Sequence, residues 1–296
     1  MSFRVIRGGI FSTIQDLGRF GYTHLGITNS GAMDEYAYLW SQKLLDNKDA
    51  NAIEIMAGLR LEATLDTVVS ITGANLDFKI NNLSKPIWQT HHIKAGDILS
   101  FDKRVSGQRA YLSVKGGFET EKRYSSYSTT LKESIGTKLK TGDILPFQPY
   151  STNYIAKIKK RYIPIYKESL TLRVILSYQK DFFDNQEIEK FFSSSYEITL
   201  QSDRMGYRLK GEAITPNRDG IISEGIAFGS IQIPKDGQPI ILLKERQTIG
   251  GYPKIGTVLP IDCFKLAQLS IGSRVRFKPI EIGEAEEEIK RFYKAI

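Results

Sequence analysis

The sequence predicts a mainly β protein carrying a few helices, on three observations. Short runs rich in β-branched and aromatic residues recur along the 296 residues, bounded by Gly, Asn or Pro. Helical periodicity is confined to three stretches. A glycine-led turn feeding an alternating apolar strand appears three times.

Taken in chain order, strands are expected at 3–7, 68–72, 76–80, 110–114, 172–176, 196–201 and 240–243. The helices are expected at 34–45, 181–192 and 284–293. In the first of these, Ser30 or Asp34 caps the start, and Ala37, Tyr38, Trp40, Leu44 and Leu45 form an apolar stripe. The repeated turn is Gly96-Asp97-Ile98-Leu99-Ser100-Phe101, then Gly142-Asp143-Ile144-Leu145-Pro146-Phe147, then loosely Gly272-Ser273-Arg274-Val275-Arg276-Phe277. Glycine adopts positive φ at the turn and the alternating Leu, Val and Phe face a core, so each copy reads as a structural closing strand. The copies mark segment ends near residues 147 and 277. Between them lies a basic, tyrosine-rich stretch without periodicity. The expected organisation is an N-terminal β-rich domain over 1–149, a linker over 150–167 and a C-terminal β domain over 168–296.

Composition removes several function classes. The N-terminal residues MSFRVIRGGIFSTIQDLG contain no continuous apolar run, and no eighteen apolar residues stand together, so a signal peptide and a membrane span are not expected. A cytoplasmic location is expected. One cysteine, Cys263, rules out an internal disulfide, and three histidines without a Cys-x-x-Cys pair make no zinc set, so no metal is expected. His91-His92 reads as one core and one surface residue of a strand, and Cys263 as a small buried hydrophobe. The formal charge of +8 is scattered among acids, so nucleic acid is not the expected partner.

Two polar clusters carry the candidate chemistry. The first holds Gln15, Asp16, Arg19, His24 and Ser30 among closely spaced glycines, and ends at Asp34 on a helix start. Glycines let backbone approach a ligand, and helix N-terminal N–H groups favour an anion. The competing structural reading pairs Asp16 with Arg19 and leaves Asp34 as a helix cap. The second runs through Arg204, Tyr207, Glu224, Arg246, Gln247, Tyr252 and Lys254, charged and amide groups beside turn glycines and Pro253. Arg204, Arg246 and Lys254 suit a carboxylate or a transferring carboxyl or phosphoryl group. Gly251 and Gly256 stand at P-loop spacing, but Thr257 occupies the position of the required lysine, which excludes a Walker A site.

The motifs Thr-Ile-Gln-Asp-Leu-Gly-Arg-Phe-Gly-Tyr, Ser-Gly-Ala-Met-Asp, Ser-Asp-Arg-Met-Gly-Tyr-Arg-Leu, Ser-Glu-Gly and Arg-Gln-Thr-Ile-Gly-Gly-Tyr-Pro-Lys occur in this order. Together they resemble the allophanate hydrolase subunit 2 family, also described as the biotin-dependent carboxyltransferase or 5-oxoprolinase C-component family. The resemblance extends from about residue 3 to about residue 278. It implies two cyclophilin-like β-barrel domains with smaller α/β portions. It also implies a smaller allophanate hydrolase subunit 1-like partner resembling a kinase inhibitor, and a third, lactam-hydrolase subunit. The implied function is ATP-dependent hydrolysis of 5-oxo-L-proline to L-glutamate, with ATP used in the assembled complex and the chain inactive alone. The alternatives are the carboxyltransferase part of a biotin-dependent urea carboxylase-like enzyme, or a non-catalytic antagonist of a kinase inhibitor. No Met-Lys-Met segment is present to carry covalent biotin, which favours the first.

Under that resemblance Asp34, Asp16 and Lys254 are the expected catalytic or anchoring residues. Gln15 and Gln247 are expected to recognise an amide, and Arg204, Arg246 and Lys254 to hold carboxylate or phosphate oxygens. Arg19, His24, Ser30, Tyr207, Glu224 and Tyr252 complete the expected substrate contacts, with loops from both halves converging. The chain departs from the family where Tyr124-Ser125-Ser126-Tyr127-Ser128-Thr129-Thr130 stands in place of Gly-Ser-Arg-Ser-Thr, so an arginine is missing from a segment expected near the ligand. Glu245 replaces the usual Asp.

Overall fold

A computed structural model describes residues 2–296. The chain divides into two compact units, Met1–Phe20 with Ser30–Tyr166, and Gly21–Asn29 with Lys167–Ile296. Residues 21–29, expected within the N-terminal domain, thus belong to the second unit. Both units are mainly β with small helical portions, as the motifs led one to expect, and the closed barrel lies in the second.

The first unit holds a six-stranded and a five-stranded antiparallel sheet around one core. The core draws Phe3, Val5, Leu61, Leu99 and Phe101 from the first sheet, and Ile53, Val69, Ile71 and Leu112 from the second. The strand Thr67–Asn75 is buried along almost its whole length because both its faces are covered. Val69 and Ile71 enter the core, while Ser70 and Thr72 face helix α1 (Glu35–Lys43) and bond the carbonyls of Ser41 and Ala37 at 2.7 and 2.6 Å. The period of two survives as apolar against hydroxyl rather than inside against outside.

Of the expected linker 150–167, residues 150–166 pack on the first unit. Thr90 N–H bonds Ala156 O at 2.9 Å and Ile158 N–H bonds Trp88 O at 3.0 Å, so the segment covers the edge strand Gln89–Ile93. Its tyrosines account for the fit: the Tyr162 ring lies 5.5 Å from that of Trp40, and the Tyr166 hydroxyl donates to Asp34 at 2.9 Å.

In the second unit seven strands close a barrel. A closed ring of purely antiparallel neighbours needs an even number of strands, so seven demand a parallel pair. That pair is Ser169–Leu176 with Arg274–Pro279, the first and last barrel strands of the chain, and no crossover connection has to be made. Helix α2 (Asn185–Ser193) starts later than expected, after a short 3-10 turn, and stacks Phe191 on Phe277 at 4.3 Å. Helix α3 (Pro260–Leu266) is not among the expected helices, because two turns inside an apolar run show no usable period. It carries Cys263, fully buried as expected, with burial pushing its thiol pKa up. Helix α4 (Ile282–Ala295) closes on it through Phe292 and Phe264.

All three repeated turns place their glycine at positive φ, 88° at Gly96, 93° at Gly142 and 85° at Gly272. Each is followed by a strand whose alternate residues are buried, among them Leu99, Leu145 and Val275. Among the described residues no helix is long and apolar enough to cross a membrane.

Candidate functional site

In the first unit, four predicted residues grip one loop, the segment 126–130 that departs from the family pattern. The Asp16 carboxylate accepts from Ser126 Oγ at 2.7 Å, Ser128 Oγ at 2.5 Å, Tyr127 N–H at 2.7 Å and Gly18 N–H at 2.8 Å. The side chains of Gln15 and Ser30 both donate to the Thr129 carbonyl, each at 3.1 Å. Arg19, 1% exposed, donates to Thr130 Oγ1 at 2.7 Å and to the Ser128 carbonyl. A cavity of about 570 Å³ lies against this loop, lined by Ser126, Tyr127, Thr129 and the opposing Ser134, Gly136 and Thr137.

Asp34 is the N-cap of α1, accepting from Ala37 N–H at 3.1 Å, with its other oxygen on Tyr166. It is 2% exposed, and burial beside this carboxylate holds the Tyr166 hydroxyl well above its ordinary pKa. The structural role, a helix cap, is therefore the one observed for Asp34.

In the second unit, Lys254 opens the barrel strand Lys254–Val258 and its ammonium pairs with Glu224 Oε1. Glu224 also accepts from the Tyr178 hydroxyl, and from Gln179 Nε2 at 2.7 Å. Gln179 Oε1 in turn accepts the Lys254 N–H at 2.8 Å, which fixes the amide orientation. These bonds hold the Glu224 carboxyl below its ordinary pKa, the contact with Lys254 contributing most.

A bulge re-aims this rim. Ile231 pairs with Gly256 but Gln232 pairs with Lys254, so Ile255 is the extra residue and Gln232 and Lys254 stand side by side. Gln232 is 3% exposed and its Nε2 has no hydrogen-bond partner among the described residues. A Cβ on Gly250, the residue opposite Glu224, would lie 2.6 Å from that nitrogen. Glycine there lets the amide approach the Glu224 ribbon.

The other predicted residues fall elsewhere in this unit. Arg204 forms a buried ion pair with Glu245, so its charge is met by a carboxylate of the protein. Tyr207 is a buried barrel residue, while His24, Gln247 and Tyr252 are exposed. Arg246 donates to three neutral oxygens: Ile226 O, Leu243 O and Asn29 Oδ1. Sequence reasoning missed Tyr178, Gln179 and Gln232. Tyr178 and Gln179 were marked only by following the predicted strand 172–176, a position where loops carry function. Nothing marked Gln232, because its partner across the barrel is set by the bulge.

Residues 25–279 match the family described as carboxyltransferase domain, subdomain A and B. The chain belongs to this carboxyltransferase domain family. It is 34% identical to the C component of 5-oxoprolinase from Escherichia coli (strain K12), over 95% of this chain and 92% of that one. It is likewise 34% identical to the C component of 5-oxoprolinase from Haemophilus influenzae, covering 93% and 90%. Among solved structures, Kluyveromyces lactis urea carboxylase superposes with a TM-score of 0.92 at 25% identity, over 99% of this chain. This carboxyltransferase-domain chain spans 29% of the length of that enzyme.

Proposed function

We propose that the chain is the larger carboxyltransferase-type subunit of an ATP-dependent 5-oxoprolinase, hydrolysing 5-oxo-L-proline to L-glutamate in the cytoplasm. The observation that carries this reading is the Lys254–Glu224 pair, set beside the Gln232 amide nitrogen, which has no partner among the described residues. A lactam carbonyl is deactivated by resonance, and negative charge gathers on its oxygen when water attacks the carbon. Lys254 and the Gln232 N–H are the donors placed to meet that charge. Glu224 holds Lys254 in place, and Gln179 with Tyr178 holds Glu224. Asp16 and Asp34 act as the clamp and cap that fix the first unit's loops.

ATP supplies the driving force for opening the lactam when the complex is assembled. The Gly251–Thr257 stretch is not a P-loop, since it feeds a barrel strand rather than a helix N-terminus. In this reading nucleotide binding is assigned to another protein of the assembly. The partners are a smaller allophanate hydrolase subunit 1-like chain and a third lactam-hydrolase subunit, in keeping with relatives whose names make them one part of a 5-oxoprolinase. Purifying the three together and measuring glutamate released from 5-oxoproline with ATP tests this; release by this chain alone contradicts the need for partners.

A second reading is favoured by the 0.92 TM-score to urea carboxylase. In it the same donors hold a carboxyl group in transit from a biotin carrier to an amide nitrogen. Incorporation of labelled bicarbonate in place of glutamate release identifies it.

A further inference from the structure

We propose that Arg246, supported by Asn29, is an anion subsite that takes the planar carboxylate of a small ligand, and so selects acids over neutral amides. The guanidinium is held from three sides. Nε donates to Ile226 O at 2.9 Å, one Nη to Leu243 O at 3.3 Å and the other to Asn29 Oδ1 at 3.0 Å. A guanidinium carries five N–H donors, so two are left for a ligand, and a fork of this kind matches carboxylate geometry.

All three acceptors are neutral. In the same unit, Arg173 faces Asp262 and Glu288, and Arg204 faces Glu245. Arg246 makes no such pair among the described residues, although desolvation is strong enough to bring its pKa down to about 10. It stays charged at neutral pH. Lys244 adds to the positive potential, its ammonium 5.0 Å and the Arg246 guanidinium 5.9 Å from the Phe228 ring centre. A partly desolvated cation without a counter-charge is an incomplete arrangement that a carboxylate completes.

The subsite adjoins the Lys254 cluster. Ile226, whose carbonyl holds Arg246, continues the ladder from Glu224 by bonding Thr248 O at 3.2 Å. Two residues of extended chain amount to roughly 7 Å. A ligand with an acid at one end and an amide carbonyl at the other spans such an interval, and this clause of the inference rests on the proposed amide-processing function. The anion site itself does not.

The test therefore has two arms on the full chain, both read from the backbone N–H resonances of Asn29, Ile226 and Leu243, which persist in every Arg246 variant, in NMR titrations at constant ionic strength. In the first, sodium acetate is titrated against a sodium chloride control. Saturable shifts of these backbone resonances, lost in Arg246→Gln and with affinity weakened at least several-fold in Asn29→Ala, are expected. No saturable response, or equal binding by Arg246→Gln, overturns the subsite and leaves a purely structural strap. Should Arg246→Gln not fold, Arg246→Lys decides, since it keeps the charge and gives up the fork: a tenfold or greater weakening supports the proposal and unchanged affinity overturns it. In the second arm, L-5-oxoproline should bind at least tenfold tighter than 2-pyrrolidinone, and the difference should vanish in Arg246→Gln. Acetate binding without that preference keeps the anion subsite and rejects its link to the lactam site.

Discussion

Gln232 stands directly across the barrel ladder from Lys254, buried, with its amide nitrogen unpaired among the described residues and turned toward the glycine that faces Glu224. A donor left unsatisfied in a well-packed barrel is costly, and the cost is recovered when a ligand oxygen arrives. Replacing it with a residue of the same length and no donor separates the two roles. Gln232→Met is expected to keep or slightly raise the melting temperature while lowering turnover by about 100-fold, the size of a lost oxyanion donor. Calorimetry and steady-state kinetics on the assembled enzyme check this; a large stability loss with normal turnover contradicts it.

Gly250→Ala should act on the same amide from the other side. The added methyl would meet Ile226 Cδ1 at 2.5 Å as well as Gln232. Overpacking of this kind costs about 1–3 kcal/mol, and the displaced amide should reduce turnover as well. Chemical denaturation gives the first quantity, and an unchanged midpoint would show that the ribbon yields freely.

His91 provides a pH prediction. It is 6% exposed, packs on Phe78, donates from Nε2 to Pro86 O at 2.8 Å, and burial lowers its pKa to about 4. Lys85, His92 and Lys157 add smaller repulsions. The folded pKa lies below the unfolded value near 6.5, so the neutral ring contributes fully above pH 6.5. That contribution is lost as pH falls from there toward 4. The loss amounts to about 3 kcal/mol, at roughly 1.4 kcal/mol per unit. His91→Phe should flatten this part of the stability profile, and an identical profile in the variant assigns the acid loss to other groups.

The barrel and its C-terminal helix are tied by Arg173, which bonds Asp262 through Nε at 2.8 Å and one Nη at 2.8 Å, and Glu288 through the other at 2.8 Å. Asp262 is almost fully buried, so removing it strands part of a desolvated guanidinium. Asp262→Ala is expected to cost about 3 kcal/mol, while Glu288→Ala, whose carboxylate is a third exposed, should cost under about 1 kcal/mol. Equal losses for the two would remove the distinction.

Much of the β architecture was legible because its signals are local. The turns at Gly96, Gly142 and Gly272 follow from positive φ, and the cap of α1 follows from an Asp before an apolar stripe. What was not legible depended on distant partners. The segment 150–166 looked like a linker because its order comes from Trp88, Thr90, Trp40 and Asp34, not from its own period. Of the candidate sites, Lys254 and Glu224 were legible as charged residues beside turn glycines, but their partners Gln179 and Gln232 come from elsewhere in the chain. A one-residue bulge, invisible in sequence, puts Gln232 opposite Lys254. Asp16 and Arg19 were legible as a polar pair of residues, yet the loop they hold lies about 110 residues further on, as the 2.7 Å bonds to Ser126 and Thr130 show.

The most direct measurement is ATP-dependent release of glutamate from 5-oxoproline by the three-protein assembly rebuilt with Lys254→Met in this chain. Turnover should fall by at least about 100-fold with the assembly still intact, since the ammonium meant to meet the carbonyl charge is gone. Wild-type turnover from the Lys254→Met assembly would contradict the account, because the chemistry would then lie outside this cluster.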